Sequence, residues 1–410
     1  MATRREFLAA AGAGAAGLAV GSGATAFFER DGGSSSADGD VVPFYGPQQA
    51  GIATAAQDRL VFAAFDVTLA TKAELRDLFR EWTRAAALMT TGRPIGPVAG
   101  DENLPPADTG EALGLGPSKL TVTFGLGRFL FAPGRFGLAA RRPRLLRPLG
   151  PLPRDALDPA RSDGDLCVQA CANDPQVAFH AVRDLTRIAR GGAVMRWAQL
   201  GFGRTSSTTS TQETPRNLQG FKDGTNNLHG DDADAMRRFV WVGDEEPQAW
   251  FRGGSYLVAR RIRMRIESWD RATLADQEAT IGRRKVSGAP LTGRKERDPV
   301  DLKLRGTSGT PIIPLDAHIR LAAPSSNEGQ RILRRGYSFT DGIDPATGEL
   351  DAGLFFIAYQ RDPHRQFAAI QTRLGASDAL NEYIVHTAGG LFAVPPGIRP
   401  GGFLAEGLFD

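Results

Sequence analysis

Three short segments carry residues that could combine ligand chemistry with proton transfer. Gly220-Phe221-Lys222-Asp223-Gly224-Thr225 sets one carboxylate in a glycine-flanked turn. Ala317-His318-Ile319-Arg320 offers an imidazole, and Leu333-Arg334-Arg335-Gly336-Tyr337 offers two guanidinium groups. A carboxylate can take a proton from one atom and return it to another. A fixed guanidinium stabilises negative charge that develops during a reaction. A neutral imidazole ligates a metal through one ring nitrogen when an acceptor holds the other. Each segment also has a plainer reading. Asp-Gly is common in ordinary turns, where the Asp side chain bonds its own backbone. Around His318 the residues alternate, so His318 and Arg320 would share one face of an extended segment and Ile319 and Leu321 the other. A buried structural histidine and a ligand fit that pattern equally well.

The remaining histidines and the cysteines are less informative. His180 falls within a predicted helix over 175–190 and reads as a satisfied or surface residue. His229, His364 and His386 sit near Gly, Pro or charged residues and read as loop positions. Cys167 and Cys171 lie in the apolar run 166–172. They supply only two of the four ligands of a structural zinc. On a strand they lie four residues apart on one face, too far to bridge without bending, and read as core thiols.

Taken together, the Asp, His and Arg contexts resemble the haem site of the dye-decolourising (DyP-type) peroxidases. The resemblance extends from about residue 46 to 408, through Gly164-Asp165-Leu166, residues 220–227 and Phe355-Ile357-Tyr359-Gln360. It implies one haem b per chain, with His318 as the proximal iron ligand. Asp223 would be the distal proton shuttle and Arg334 the distal arginine. Arg320 and Arg335 would be contacts for the haem propionates, and Glu382 the acceptor that holds the second nitrogen of His318. Leu354 and Phe356 could line the distal side, although core packing explains both. The ordinary Asp pKa, about 3.9, implies activity favoured at acidic pH. Hydrogen peroxide would be the oxidant and bulky organic molecules (dyes, phenols, porphyrinogens) the reductants. Electrons could enter at Trp241, Trp250, Tyr337 or Tyr359. The nearest branch is the secreted deferrochelatase/peroxidase one, which accompanies iron uptake and an iron permease. The alternative function is a haem-binding, iron-releasing protein, which needs His318 but not a tuned Asp223 and Arg334.

The elements that position these residues are legible as patterns. Residues 60–69 and 120–126 read as strands, and 71–89 as a helix with Thr71 at its N-cap. A Pro- and Arg-rich loop covers about 132–164, followed by a strand at 165–172, a helix at 175–190 and a strand at 193–202. The second half repeats the order: strand 255–266, helix 271–284, strand 354–359, helix 365–374 and a short strand at 391–394. Periodicity thus predicts an α+β protein. The resemblance adds duplication: two ferredoxin-like domains over 46–215 and 216–410, with haem in the second.

Composition narrows the function classes. At 410 residues, 41% hydrophobic and 23% charged, the chain is globular and long enough for two domains. Only 6 of its 49 basic residues are Lys, and 46 acidic residues are interspersed among them. That is not the basic stripe of a nucleic-acid binder. A homo-oligomer is compatible with the sequence. The chain opens with Arg4-Arg5, an uncharged Ala/Gly-rich stretch over 8–28 and Ala24-Thr25-Ala26, the pattern of a twin-arginine export signal with a small-residue cleavage site. Gly and Ala contribute little apolar area, so the stretch is expected to be a signal rather than a permanent span. Residues 1–45 are expected to comprise signal and linker, with delivery to the periplasm, cell envelope or exterior.

Overall fold

Strand β1 (Arg59–Val67) is buried along both faces. Val61, Ala63 and Phe65 pack under helices, whereas Leu60, Phe62 and Ala64 pack into a second core. A strand alternates its side chains, so such a strand must lie between two apolar layers. The computed structural model, which describes residues 40–410, supplies both. Helix α1 (Lys72–Met89) follows β1 and begins with a capping box, Thr71 accepting from the Glu74 N–H while Glu74 reaches back to Thr71. Then come β2 (Thr121–Gly127), β3 (Leu166–Ala172), α2 (Pro175–Ile188) and β4 (Ala193–Arg204). After α3 (Ala233–Phe239) the same order recurs: β5 (Ser255–Met264), α4 (Ile266–Arg271), α5 (Leu274–Ile281), α6 (His318–Leu321), β6 (Leu333–Arg334), β7 (Tyr337–Ile343), β8 (Leu350–Gln360), α7 (Ala369–Ser377) and β9 (Ile384–Val394).

Each half is a βαββαβ unit. The strand orders are β2-β3-β1-β4 and β9-β5-β8-β7, every neighbour antiparallel. The last strand lies beside the first, which is the ferredoxin-like arrangement. The halves join edge to edge, β4 with β7 (Phe202 opposite Ser338) and β2 with β9 (Leu126 opposite Ala393). Among the described residues the sheet therefore closes into a barrel, which removes the long free edges. Its interior is aromatic: the Phe62 ring lies 5.2 Å from those of Trp197 and Phe355. Phe355, Ile357 and Tyr359 of β8 point into this interior, so Leu354 and Phe356 point outward.

The α+β reading holds, with local differences. The helix expected over 271–284 is the shorter α5, which Thr273 caps by accepting from the Asp276 N–H, and an additional short helix, α4, precedes it and ends at Arg271. Strand β9 begins at Ile384, well before 391. Gly389 sits mid-strand because a Cβ there would come within 2.4 Å of the Ala259 carbonyl oxygen. His386 is accordingly a buried strand residue, not a loop residue. Cys167 and Cys171 are buried free thiols on β3. The export signal, its cleavage site and nearly all of the linker lie outside the described residues. Among the described residues no helix is long and apolar enough to cross a membrane.

Candidate active site

Asp223 is built into its position by backbone bonding. Its N–H donates to the Pro215 carbonyl at 2.8 Å, and Arg216 bridges Lys222 across the turn. Gly224 follows with φ +90°, and a Cβ there would meet Ser206 Cα at 3.1 Å, so the turn needs glycine. Asp223 Oδ1 accepts from an Arg334 terminal nitrogen at 2.7 Å, and Oδ2 accepts from Asn217 Nδ2 at 3.2 Å. Arg334 is the last residue of β6, opposite Ala358. Asn227 clamps its backbone: the Arg334 N–H donates to Asn227 Oδ1 and the Arg334 carbonyl accepts from Nδ2, both at 2.8 Å. Nδ2 also donates to the Ser207 carbonyl. Asn227→Ala leaves these backbone groups without partners and is expected to cost about 1–3 kcal/mol of stability, read from denaturant melts.

His318 begins the one-turn helix α6, after the buried Ala317. The expected extended segment is absent because Arg320 folds back, its side chain donating to the carbonyls of Ile313 (2.7 Å) and Pro314 (2.9 Å). Four residues are too few for alternation to distinguish strand from helix. His318 Nδ1 lies 2.6 Å from Asp378 Oδ2. Asp378 is itself fixed, since Oδ1 accepts from the Leu380 N–H at 2.9 Å and the next residue, Ala379, donates to the Asp316 carbonyl. With the Nδ1 proton directed at Asp378, Nε2 carries the lone pair. Burial works to lower the His318 pKa, but the Asp378 carboxylate outweighs it and holds the value above the ordinary one.

Asp223, Arg334, His318, Leu354 and Phe356 all line one cavity of about 760 Å³. The outward face of β8 supplies the apolar wall, joined by Ile262 and Met264 of β5. His386 also reaches the cavity. Burial and then the Arg260 charge bring its pKa down to about 3, so it is neutral.

Three expected contacts are corrected. The acceptor for His318 is Asp378, not Glu382, which is exposed and does not line the cavity. Arg320 is taken up by backbone carbonyls and lies outside the lining. Arg335 is fully buried elsewhere, bonded to the carbonyls of Thr54 and Ala55 and to Gln57. Among the aromatic residues considered for electron entry, Tyr337 and Tyr359 are fully buried and Trp250 is buried, leaving Trp241 partly exposed. Asp378 and Asn227 went unread. Asp378 stands 60 residues from His318, and only its place at the N-cap of the turn Ala379–Glu382 marked it.

The donor set fits haem. A cavity of this volume is of ligand size, its wall is apolar, and it presents one imidazole with a carboxylate behind it. An arginine–carboxylate pair shares the same space. Fold and site together define a haem peroxidase.

Comparison with known proteins places the chain within that class. Residues 49–203 match the family model described as Dyp-type peroxidase, N-terminal, and residues 214–399 match Dyp-type peroxidase, C-terminal. The chain belongs to the DyP-type peroxidase family and is a haem-dependent peroxidase. It is 40% identical over 371 residues to a deferrochelatase of Escherichia coli K12, covering 89% of this chain and 86% of that protein. Ferric DtpA from Streptomyces lividans superposes with a TM-score of 0.82 at 42% identity, covering 90% of this chain and 97% of that one. A DyP-type peroxidase from Cellulomonas bogoriensis gives 0.80 at 40% identity, covering 91% and 99%.

Proposed function

We propose that haem b sits in the C-terminal half, in the cavity beside β8, with His318 Nε2 as the iron ligand and Asp223 and Arg334 as the residues that handle peroxide. The observation that carries this reading is the convergence of the three side chains on one cavity, with Asp378 bonded to the far nitrogen of His318. Bound haem supplies an iron centre that takes up the two oxidising equivalents of peroxide and passes them on singly. Asp378 keeps Nε2 basic and fixes the ring plane. Asp223 takes the proton from one peroxide oxygen and returns it to the other, which leaves as water. Arg334, held by Asn227 and paired with Asp223, stabilises charge on the leaving oxygen. Arg331 and Arg297, also on the lining, are placed for the haem carboxylates in the roles expected of Arg320 and Arg335.

Haem takes up much of such a cavity, so a bulky dye or phenol gives its electrons from outside. The 40% identity with a deferrochelatase supports a second reading, iron release from haem within an uptake system that includes a permease. One experiment separates the two. Haem-loaded protein is mixed with peroxide and an anthraquinone dye, and metal-free porphyrin is followed by fluorescence. Peroxide-dependent bleaching without porphyrin release is expected. Porphyrin release without bleaching would favour the second reading.

The export reading rests on Arg4-Arg5 and the weakly apolar stretch behind them. Arg4→Lys with Arg5→Lys is expected to leave folded precursor in the cytoplasm, as judged by fractionation. Undiminished export in cells lacking the twin-arginine translocase would refute it.

A further inference from the structure

Outside the haem cavity, a second group of ligand-type side chains lies between α2 and the segment that follows α1. His180 and Asp184 are four residues apart on α2, hence one turn apart on one face. Asp108 and Glu111 approach them from the segment between α1 and β2. His180 Nε2 lies 3.6 Å from Asp108 Oδ2 and 3.4 Å from Asp184 Oδ2. On the other side of the ring, Nδ1 lies 3.3 Å from Thr109 Oγ1 and 3.4 Å from Glu111 Oε2.

The group is buried, and one member is left without a hydrogen bond. The Asp184 side chain is 0% exposed, and neither of its oxygens accepts a hydrogen bond of ordinary geometry. The nearby Thr109 hydroxyl, which lies against His180 Nδ1, relieves it only in part. A buried carboxylate without hydrogen bonds is strongly unfavourable unless a cation shares its site. Asp108 is the opposite case, rigidly held: Oδ2 accepts from the Ile95 N–H and Oδ1 from the Gly110 N–H, both at 2.8 Å. Its Oδ2 retains a lone pair on the His180 side.

We propose that Asp108, His180 and Asp184 bind one divalent transition-metal ion, with His180 Nε2 and one oxygen of each aspartate as ligands. The three ligand atoms lie within 4.8 Å of one another. A tetrahedral ion with bonds of about 2.1 Å holds neighbouring ligand atoms about 3.4 Å apart. The His180–Asp184 separation has that value, and the His180–Asp108 separation exceeds it by little. Glu111 and Thr109, on the Nδ1 side, accept the ring proton and so turn the Nε2 lone pair towards the two aspartates. Water takes the fourth position. One imidazole with two carboxylates suits zinc, and manganese less tightly, over magnesium or calcium. The ion would tie the segment after α1 to α2, and Glu111, paired with the exposed Arg183, marks the way in from solvent.

The test uses the full haem-loaded chain, stripped with a chelator and titrated calorimetrically with zinc and then manganese. One zinc per chain is expected, with manganese weaker and competing for the same site. The melting temperature should rise by several degrees in zinc and fall again with chelator. Asp184→Asn and His180→Gln should each weaken zinc binding by at least about 100-fold, with dye oxidation unchanged. Zinc-edge anomalous diffraction from the unmutated protein needs no variant to fold, and its peak should lie between His180 and the two aspartates. Failure of the unmutated chain to take up zinc or manganese, a peak elsewhere, or unchanged binding by Asp184→Asn overturns the proposal. The cluster is then a buried histidine packed between two carboxylates with no metal role.

Discussion

His318→Ala is expected to abolish tight haem binding in a chain that otherwise folds as before. The side chain stands at the start of the one-turn helix α6, with part of its surface facing the cavity. No core cluster depends on it: the apolar packing nearby comes from Ile319, Phe221, Trp269 and Leu380. Its removal deletes the proposed iron ligand and leaves the fold-defining contacts in place. Asp378→Asn separates ligation from orientation. The amide can still accept from the Leu380 N–H, but it no longer offers a carboxylate to Nδ1. Loss of such a supporting carboxylate typically lowers metal affinity or activity by about 10- to 100-fold. The order expected in haem titrations is therefore wild type tightest, Asp378→Asn intermediate and His318→Ala weakest. Glu382→Gln should match wild type, because Glu382 is exposed and off the cavity. Haem spectra and affinity unchanged in His318→Ala would refute the ligand assignment.

Physical length scales decide how much of this was readable in the sequence. Elements of the first half were legible because each is long and strongly patterned. α1 carries a capping box and α2 has Asp174 as its N-cap followed by Pro175. Helix α6 was not, since one turn has no period, and its conformation is set by the Arg320 side chain bonding back to Ile313 and Pro314. The barrel closure was invisible for a different reason. Pairing of β4 with β7 and of β2 with β9 joins residues more than a hundred positions apart. No local pattern encodes that. The same holds within the site. Asp223, His318 and Arg334 each stood in a recognisable segment, yet their pairing through Asn227 and Asp378 is a tertiary fact. Arg335 shows the converse error. Its neighbour Arg334 ends β6 facing the cavity, so strand alternation sends Arg335 to the other side, into a cage of carbonyls around Thr54 and Ala55.

Asp223→Asn and Arg334→Leu are expected to slow the peroxide-driven change in haem absorbance without loss of haem. Asn keeps the shape of Asp223 and can still bond Arg334 or Asn217, but it cannot take up the peroxide proton. General acid–base help of this kind is typically worth about 10² to 10⁴ in rate. Leu in place of Arg334 removes the charge facing the leaving oxygen, and loss of one such donor costs about 2.7 to 4 kcal/mol in a hydrolase oxyanion hole. Arg334→Leu carries a second consequence, because Asp223 loses its 2.7 Å partner and keeps only Asn217. The carboxylate is then free to swing and is less well placed for the same proton. The two residues therefore act as a unit, and the double variant should be little slower than the worse single one. Stopped-flow mixing with peroxide from about pH 3 to about pH 8 measures all three. Asp223→Asn, which removes the proton acceptor, and Arg334→Leu, which removes the facing charge, should each lower the profile throughout. If neither single variant is slowed by at least about tenfold, equivalent to roughly 1.4 kcal/mol, the pair does not perform the cleavage step. Iron release from haem then becomes the better account of a cavity built around His318 and Asp378.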